Sequence, residues 1–287
     1  MSWYCSVADV KDEQNVTGAA QSAEDAKMFQ TIRQVSQRLD RLFQAKRPLF
    51  WPYLEDDKFR VTPQRINSWD NTFYFERHLL SLNTVTYDTQ ALAVGSAVEA
   101  WPTGITPYQY LRLMDYSTNW YDYCVSQTNP TPIFITINGT WGWHTDYTNA
   151  WLAVDTLSAD PLTTTTITVA DIDGIDGYGR YPRISPGALL KIENEFLLVT
   201  ATNIVANTAT VKRGVNGTTA AAHAIGQTVS VWQTEDVIRR VVARQSAFLY
   251  ARRGAYESST VTDVGVSNYP SDLLAELRGA IHGLVYE

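Results

Sequence analysis

Cysteine is scarce in this chain of 287 residues, which has only Cys5 and Cys124 and no CxxC pair. A disulfide framework or a structural zinc site needs several cysteines at short spacing, so the sequence predicts neither. The four histidines are scattered as well, without the HExxH spacing of a catalytic metal site. We therefore expect no metal and no bound cofactor.

Long apolar runs and catalytic motifs are also missing. No stretch approaches the roughly 18 apolar residues of a membrane-spanning helix, and the first residues lack the basic start of a signal peptide. Neither a GxSxG nucleophile motif nor a phosphate-binding GxxxxGK[ST] loop occurs. These absences favour a protein that is not an enzyme, is made in the cytoplasm and has no membrane partner.

Positive charge is in deficit, because the formal net charge is −7. Proteins that bind DNA tightly need excess Lys and Arg to displace the counterions of the phosphates, so sequence-specific DNA binding is not predicted. Hydrophobic residues make up 45% of the chain, which has 9 Trp, 16 Tyr and 9 Phe. This composition is typical of a packed protein with large permanent interfaces.

Apolar residues recur at helical spacing in three segments, 22–45, 234–253 and 271–284. The first stripe is formed by Met28, Ile32, Val35, Leu39 and Leu42. The last is formed by Leu273, Leu274, Leu277, Ile281 and Leu284. Thr234 can cap the second helix, and Gly254 can end it.

The rest of the chain has the pattern of β structure. Residues 49–150 predict short strands and loops, and residues 155–232 predict successive strands with a turn at Asn216–Gly217. We interpret 155–232 as a small β-barrel or sandwich inserted into a main domain. The predicted fold is α+β, with a small α-helical bundle as its core. Its parts are the N-terminal helix and β region (1–154), the inserted β-domain (155–232) and the C-terminal helices (233–287).

Several stretches also stand in a recognisable order. They are Ser6–Lys11 (SVADVK), the helix 22–45, Leu79–Val85 (LLSLNTV), Ile135–Gly142 (ITINGTWG, with Asn138–Gly139 taken as a turn) and the later helices. In this order they resemble the head–tail connector, or adaptor, proteins of long-tailed bacteriophages. Residues 186–195 and 211–223 resemble a β module of phage structural proteins. Simple connectors are shorter and lack this insert.

The resemblance implies a structural protein of the virion neck. About twelve copies would form a ring beneath the portal protein, linking the capsid to the tail. Its partners would be the portal, a stopper or tail-completion protein and neighbouring copies. DNA would pass through the ring without sequence-specific binding, which suits an acidic protein.

Eight residues are candidates for interfaces in such a ring. Arg239, Arg240 and Arg244 form a basic patch at helical spacing, suited to salt bridges with a neighbour or the portal. Leu274, Leu277 and Ile281 would dock the last helix on the portal or the next neck protein. Trp141 and Trp143 lie in an aromatic cluster that can pack within or between subunits.

Two other functions remain open. The same Trp cluster, with Tyr147 and Trp151, could bind glycans in a baseplate or receptor-binding protein. A weaker alternative is a glycan hydrolase that uses carboxylates such as Glu193, Glu195 or Asp176. An ordinary hairpin turn also accounts for the Glu193–Glu195 pair, and a strand connection accounts for Asp171, Asp173 and Asp176.

Overall fold

The computed structural model describes residues 2–16, 23–43, 45, 47–67, 69–114, 133–159 and 165–251. Of these residues, 39% lie in strands and 21% in helices. The chain divides into two compact units. The helix–barrel unit comprises Met1–Leu49, Trp151–Val215 and Thr219–Glu287, and the sheet unit comprises Phe50–Ala150 and Asn216–Thr218.

The helix–barrel unit has three α-helices within the described residues: α1 (Val7–Glu13), α2 (Ala23–Leu42) and α3 (Asp236–Ala251). Ser6 begins α1 with a capping box, in which its hydroxyl accepts a hydrogen bond from the Asp9 N–H at 3.1 Å. The helices α2 and α3 occupy the segments predicted from their apolar stripes, and α3 packs against both α1 and α2. The predicted helix 271–284 lies outside the described residues.

The barrel of the same unit is closed by six antiparallel strands in the order β10-β11-β12-β9-β8-β13. The strands are β8 (Trp151–Ala159), β9 (Thr166–Val169), β10 (Leu189–Ile192), β11 (Glu195–Asn203), β12 (Thr208–Lys212) and β13 (Thr228–Trp232). The barrel core is aliphatic, with Leu157, Ile167, Leu190 and Val229 each at most 1% exposed. Strand alternation directs these side chains inward, and closure leaves the barrel without a free strand edge.

The sheet unit is a seven-stranded antiparallel sheet with the central order β1-β7-β3-β6-β5. The strands are β1 (Tyr53–Arg60), β2 (Ile66–Asn67), β3 (Thr72–Tyr87), β4 (Gln90–Leu92), β5 (Val98–Trp101), β6 (Tyr108–Leu113) and β7 (Phe134–Trp141). One face of this sheet holds the core, which includes Phe73, Leu111, Ile135 and Trp141.

The predicted helical-bundle core is therefore wrong. Among the residues that the structure describes, two large apolar clusters lie in the sheet and in the barrel, and most of their side chains come from strands. The sequence interpretation gave weight to two strongly periodic helices and treated 49–150 as short strands and loops. That region instead contains β3, a strand of 16 residues that pairs with β2, β4, β6 and β7. Three helices in the described residues form one layer of the helix–barrel unit rather than the core of the protein.

The predicted turn at Asn138–Gly139 is also wrong, because β7 continues through both residues to Trp141. Glycine is needed here for space. A Cβ on Gly139 would lie 2.4 Å from the Ser81 carbonyl oxygen and 2.7 Å from a Leu79 methyl group. The pairing of β3 with β7 shifts register between Leu79 and Ser81, and this irregularity brings the β3 backbone close to Gly139.

Candidate functional site

The most strongly bonded polar group of the barrel is the carboxylate of Glu195, at the start of β11 and 1% exposed. Arg213 donates to it from Nε at 3.0 Å and from Nη2 at 2.6 Å. The N–H groups of Gly214 and Ala221 each donate at 3.0 Å, and His223 Nε2 lies 2.8 Å away. Glu195 thus holds residues between Arg213 and His223, which lie 18 to 28 positions further along the chain.

The hydrogen bonds around Glu195 favour the charged form of its carboxylate and so lower its pKa. Burial alone raises the pKa, but hydrogen bonds from Arg213, the Ala221 N–H, His223 and the Gly214 N–H lower it by more. The pKa therefore lies below its ordinary value, and Glu195 is ionised at neutral pH. An ionised carboxylate whose oxygens are already bonded cannot serve as the proton-donating acid of a glycosidase.

Glu193 and Asp176, the other carboxylates considered for hydrolysis, also have structural bonds. Glu193 occupies the turn between β10 and β11 with φ of +51°, and its Oε2 lies 2.7 Å from His223 Nδ1. One oxygen of Asp176 accepts hydrogen bonds from the backbone N–H groups of Tyr178 and Arg180. Asp171 likewise accepts from the Gly174 N–H at 3.0 Å. These carboxylates shape their own loops, and the described residues contain no group of three or more metal-ligating side chains.

Two of the three arginines of α3 form ion pairs with residues of α1. Arg239 Nη1 lies 3.0 Å from Asp9 of α1, and its Nη2 lies 2.9 Å from Asp236. Arg244 Nε lies 3.4 Å from Glu13 at the end of α1. Arg240 is exposed and has no ion pair with any residue that the structure describes. Of the three predicted interface arginines, Arg240 is thus the one with an uncommitted charge, while Arg239 and Arg244 join α3 to α1.

Trp141 and Trp143, two members of the aromatic cluster that was predicted as a binding site, are buried. Trp141 is 1% exposed, and its ring packs against Phe59 and Phe75 in the core of the sheet. Trp143 is 8% exposed, with its ring edge-to-face against Phe50 at a centroid distance of 5.7 Å. Neither buried indole offers its face to a glycan, and the remaining members of the predicted cluster, Tyr147 and Trp151, are partly buried. The three other predicted interface residues, Leu274, Leu277 and Ile281, lie outside the described residues.

Two hydrophobic side chains that sequence reasoning missed stand almost wholly in solvent. Trp69, in the turn between β2 and β3, is 98% exposed, and Val205, in the turn between β11 and β12, is 92% exposed. Both turns are held by asparagine. Asn67 Oδ1 accepts from the Trp69 N–H at 3.1 Å, and Asn203 Oδ1 accepts from the Val205 N–H at 3.1 Å. The sequence signal was an apolar residue two positions after a turn-forming asparagine.

Trp69 is the larger of these two exposed side chains, with its whole indole in solvent. Isolated apolar side chains are common on protein surfaces, but a whole indole at a turn matches the Trp anchors that carry binding energy at interfaces. None of the described helices is long and apolar enough to cross a membrane.

Comparison with known proteins does not assign the chain to a family. No protein-family model matches the chain, and no curated protein matches it.

Proposed function

We propose that this chain is a non-enzymatic structural protein of a virus particle, a head–tail connector that forms a ring of about twelve copies beneath the portal. Support comes first from the ordered sequence resemblance. Its stretches lie on elements that organise each unit. Ser6–Lys11 covers the cap and body of α1, Leu79–Val85 lies in the long strand β3, and Ile135–Gly142 covers most of β7. The proposal does not include a helical-bundle core.

The observation that carries the proposal is the exposure of Trp69. Tryptophan is enriched among the residues that dominate interface energies, and removal of such an anchor costs at least about 2 kcal/mol of binding. Ring formation requires each copy to present one patch to a different patch of its neighbour. A solvent-exposed indole whose backbone N–H is bonded to Asn67 could insert into the facing patch of a neighbouring copy.

The charged groups of the described residues favour assembly over catalysis. Glu195, Asp171, Asp176 and Arg239 are all used in bonds that fix loops or helices. An active site instead requires acid, base or nucleophilic groups that remain available to a substrate. The rival function, glycan binding through Trp141 and Trp143, loses its surface because both indoles are buried.

Native mass spectrometry of the full chain mixed with the portal ring of the same virus tests the proposal. We expect about twelve copies to join the portal ring. The variant Trp69→Ser should bind at least tenfold more weakly while keeping its thermal stability, because the indole has almost no contacts within the chain. Ile105→Ser is the matched control, since Ile105 is also in the sheet unit and is 62% exposed.

Failure of the wild-type chain to join the portal would reject the connector function. Binding of wild type and Trp69→Ser with equal affinity would remove Trp69 as the anchor. In that case the corresponding variant Val205→Ser would identify whether the other exposed turn makes the contact.

A further inference from the structure

The sheet unit carries three aromatic side chains in a row on the face opposite its core. Phe73, Leu111 and Ala100 lie in register on β3, β6 and β5, and they are 0%, 0% and 8% exposed. The next residue along each strand points to the other face, because strand side chains alternate. These next residues are Tyr74, Tyr110 and Trp101, which are paired with each other in the same register. We call them the aromatic row.

The rings of the aromatic row are close enough to form one continuous surface. The centroids of Tyr74 and Tyr110 are 5.2 Å apart, and those of Tyr110 and Trp101 are 6.5 Å apart with planes inclined by only 16°. Tyr74 at one end is 42% exposed, and the other two side chains are partly exposed. The row crosses three adjacent strands of a rigid sheet, so its spacing is fixed by the backbone.

Charged groups adjoin the Trp101 end of the row. The Arg112 guanidinium lies 5.1 Å from the centre of the Trp101 ring, and the Trp101 Nε1–H donates to the Glu99 carboxylate at 3.1 Å. Glu99 and Arg112 are themselves directly opposite each other on β5 and β6. The surface therefore combines aromatic rings with one hydrogen-bond acceptor group and one donor group beside them.

We propose that the aromatic row binds a carbohydrate chain made of flat, equatorially linked sugar units. The C–H faces of such sugars are apolar and pack on aromatic surfaces, while their hydroxyl groups pair with carboxylate and guanidinium groups. A row across neighbouring strands suits an extended chain of repeating units. Duplex DNA is a poorer fit, since the cations beside the row are matched by carboxylates: Glu99 lies opposite Arg112, and Glu76 pairs with Arg65 at 2.8 Å.

The alternative role for the row is purely structural. Aromatic cross-strand pairs stabilise sheets without any ligand. That role predicts a change in stability when a ring is removed and no binding of sugar. The two roles therefore give different results in a binding experiment on folded protein.

Affinity gel electrophoresis of the full chain is the test, with three soluble polysaccharides as probes. Hydroxyethyl cellulose and glycol chitin are β-1,4-linked, and soluble starch is α-1,4-linked and coiled. We expect retardation in at least one β-1,4-linked gel and none in starch. Tyr74→Ser, Trp101→Ala and Arg112→Gln should each weaken the retardation about tenfold, the factor that corresponds to 1.4 kcal/mol of binding free energy.

Tyr178→Ala is the matched control, because it removes an aromatic ring that is 58% exposed and belongs to the helix–barrel unit. It should be retarded as strongly as wild type. Tyr74→Ser keeps the test decisive if Trp101→Ala fails to fold, since Tyr74 is the most exposed ring. Absence of retardation in both β-1,4-linked gels, or retardation that Tyr74→Ser leaves unchanged, would overturn the proposal. Neither result depends on whether the chain joins a portal ring.

Discussion

Glu195 and Arg213 form a two-point ion pair inside the helix–barrel unit, with side chains that are 0% and 10% exposed. The pair joins the first residue of β11 to the residue that follows β12. Breaking one partner of a buried ion pair leaves the other charge without compensation, which is strongly unfavourable. This contact makes the loop after β12 part of the barrel rather than a free connection.

Replacing Glu195 should therefore destabilise the barrel. We expect Glu195→Gln to lower the free energy of unfolding by about 3–5 kcal/mol, the usual range for disruption of a buried pair. Urea denaturation followed by circular dichroism measures this change. Glu193→Gln is the control, because the Glu193 side chain is 47% exposed and its loss should matter by less than about 1 kcal/mol. Equal effects of the two variants would show that Glu195 is not the hub of the loop.

The contribution of Glu195 should also depend on pH. Its pKa is lower in the folded chain than its ordinary value of 4.5, so the ionised form stabilises the fold. A carboxyl group of this kind contributes its full stability above the unfolded pKa and loses it as the pH falls through the folded pKa. The difference in unfolding free energy between wild type and Glu195→Gln should be largest near pH 7 and shrink below about pH 4. A difference that stays constant from pH 7 to pH 3 would contradict this assignment.

His78 is predicted to be neutral at physiological pH. Burial lowers the pKa of its imidazole from 6.5 to about 4. The folded chain therefore disfavours the proton, and stability should fall as the pH drops from about 6.5 through about 4. An NMR titration of the imidazole resonances in the folded protein should give a midpoint near 4. A midpoint near 6.5 would mean that the ring is in contact with water.

Gly139 should tolerate no larger residue. Gly139→Ala places a methyl group against the Ser81 carbonyl and the Leu79 side chain, and overpacking of this kind costs about 1–3 kcal/mol. Thermal denaturation of the full chain reports the change. Gly177→Ala is a suitable control because the nearest atom to its added Cβ, on Leu152, is 3.4 Å away, an ordinary contact distance. A Gly139→Ala variant as stable as the control would show that β3 can move away from β7.

Local periodicity predicted some elements well and the core poorly. The stripes of α2 and α3 identified those helices to within a few residues, because one-sided burial imposes a repeat that survives in any single helix. The sheet could not be predicted in the same way, since the pairing of β3 with β7 joins residues 48 to 62 positions apart and contains register shifts. The prediction of a helical core therefore gave too much weight to helical periodicity and too little to long-range pairing of strands.

The environments of the candidate functional residues could be predicted only in part from the local sequence. The asparagine two positions before Trp69 is a local sign of its turn, whereas the burial of Trp141 depends on Phe59 and Phe75, which lie on strands distant in the chain. Glu195 was grouped with Glu193 as a hairpin carboxylate, yet its main partners are 18 and 28 residues away. The aromatic row could not be predicted from the sequence, because Tyr74, Trp101 and Tyr110 become neighbours only through the register of β3, β5 and β6.

The central claim, that this chain is a neck component of a virus particle, is tested most directly by its copy number in purified virions. Quantitative mass spectrometry with isotope-labelled peptides gives the ratio of this chain to the portal protein. We predict a ratio close to one, with about twelve copies of each. Absence from the particles, or a ratio well away from one, would contradict the connector function.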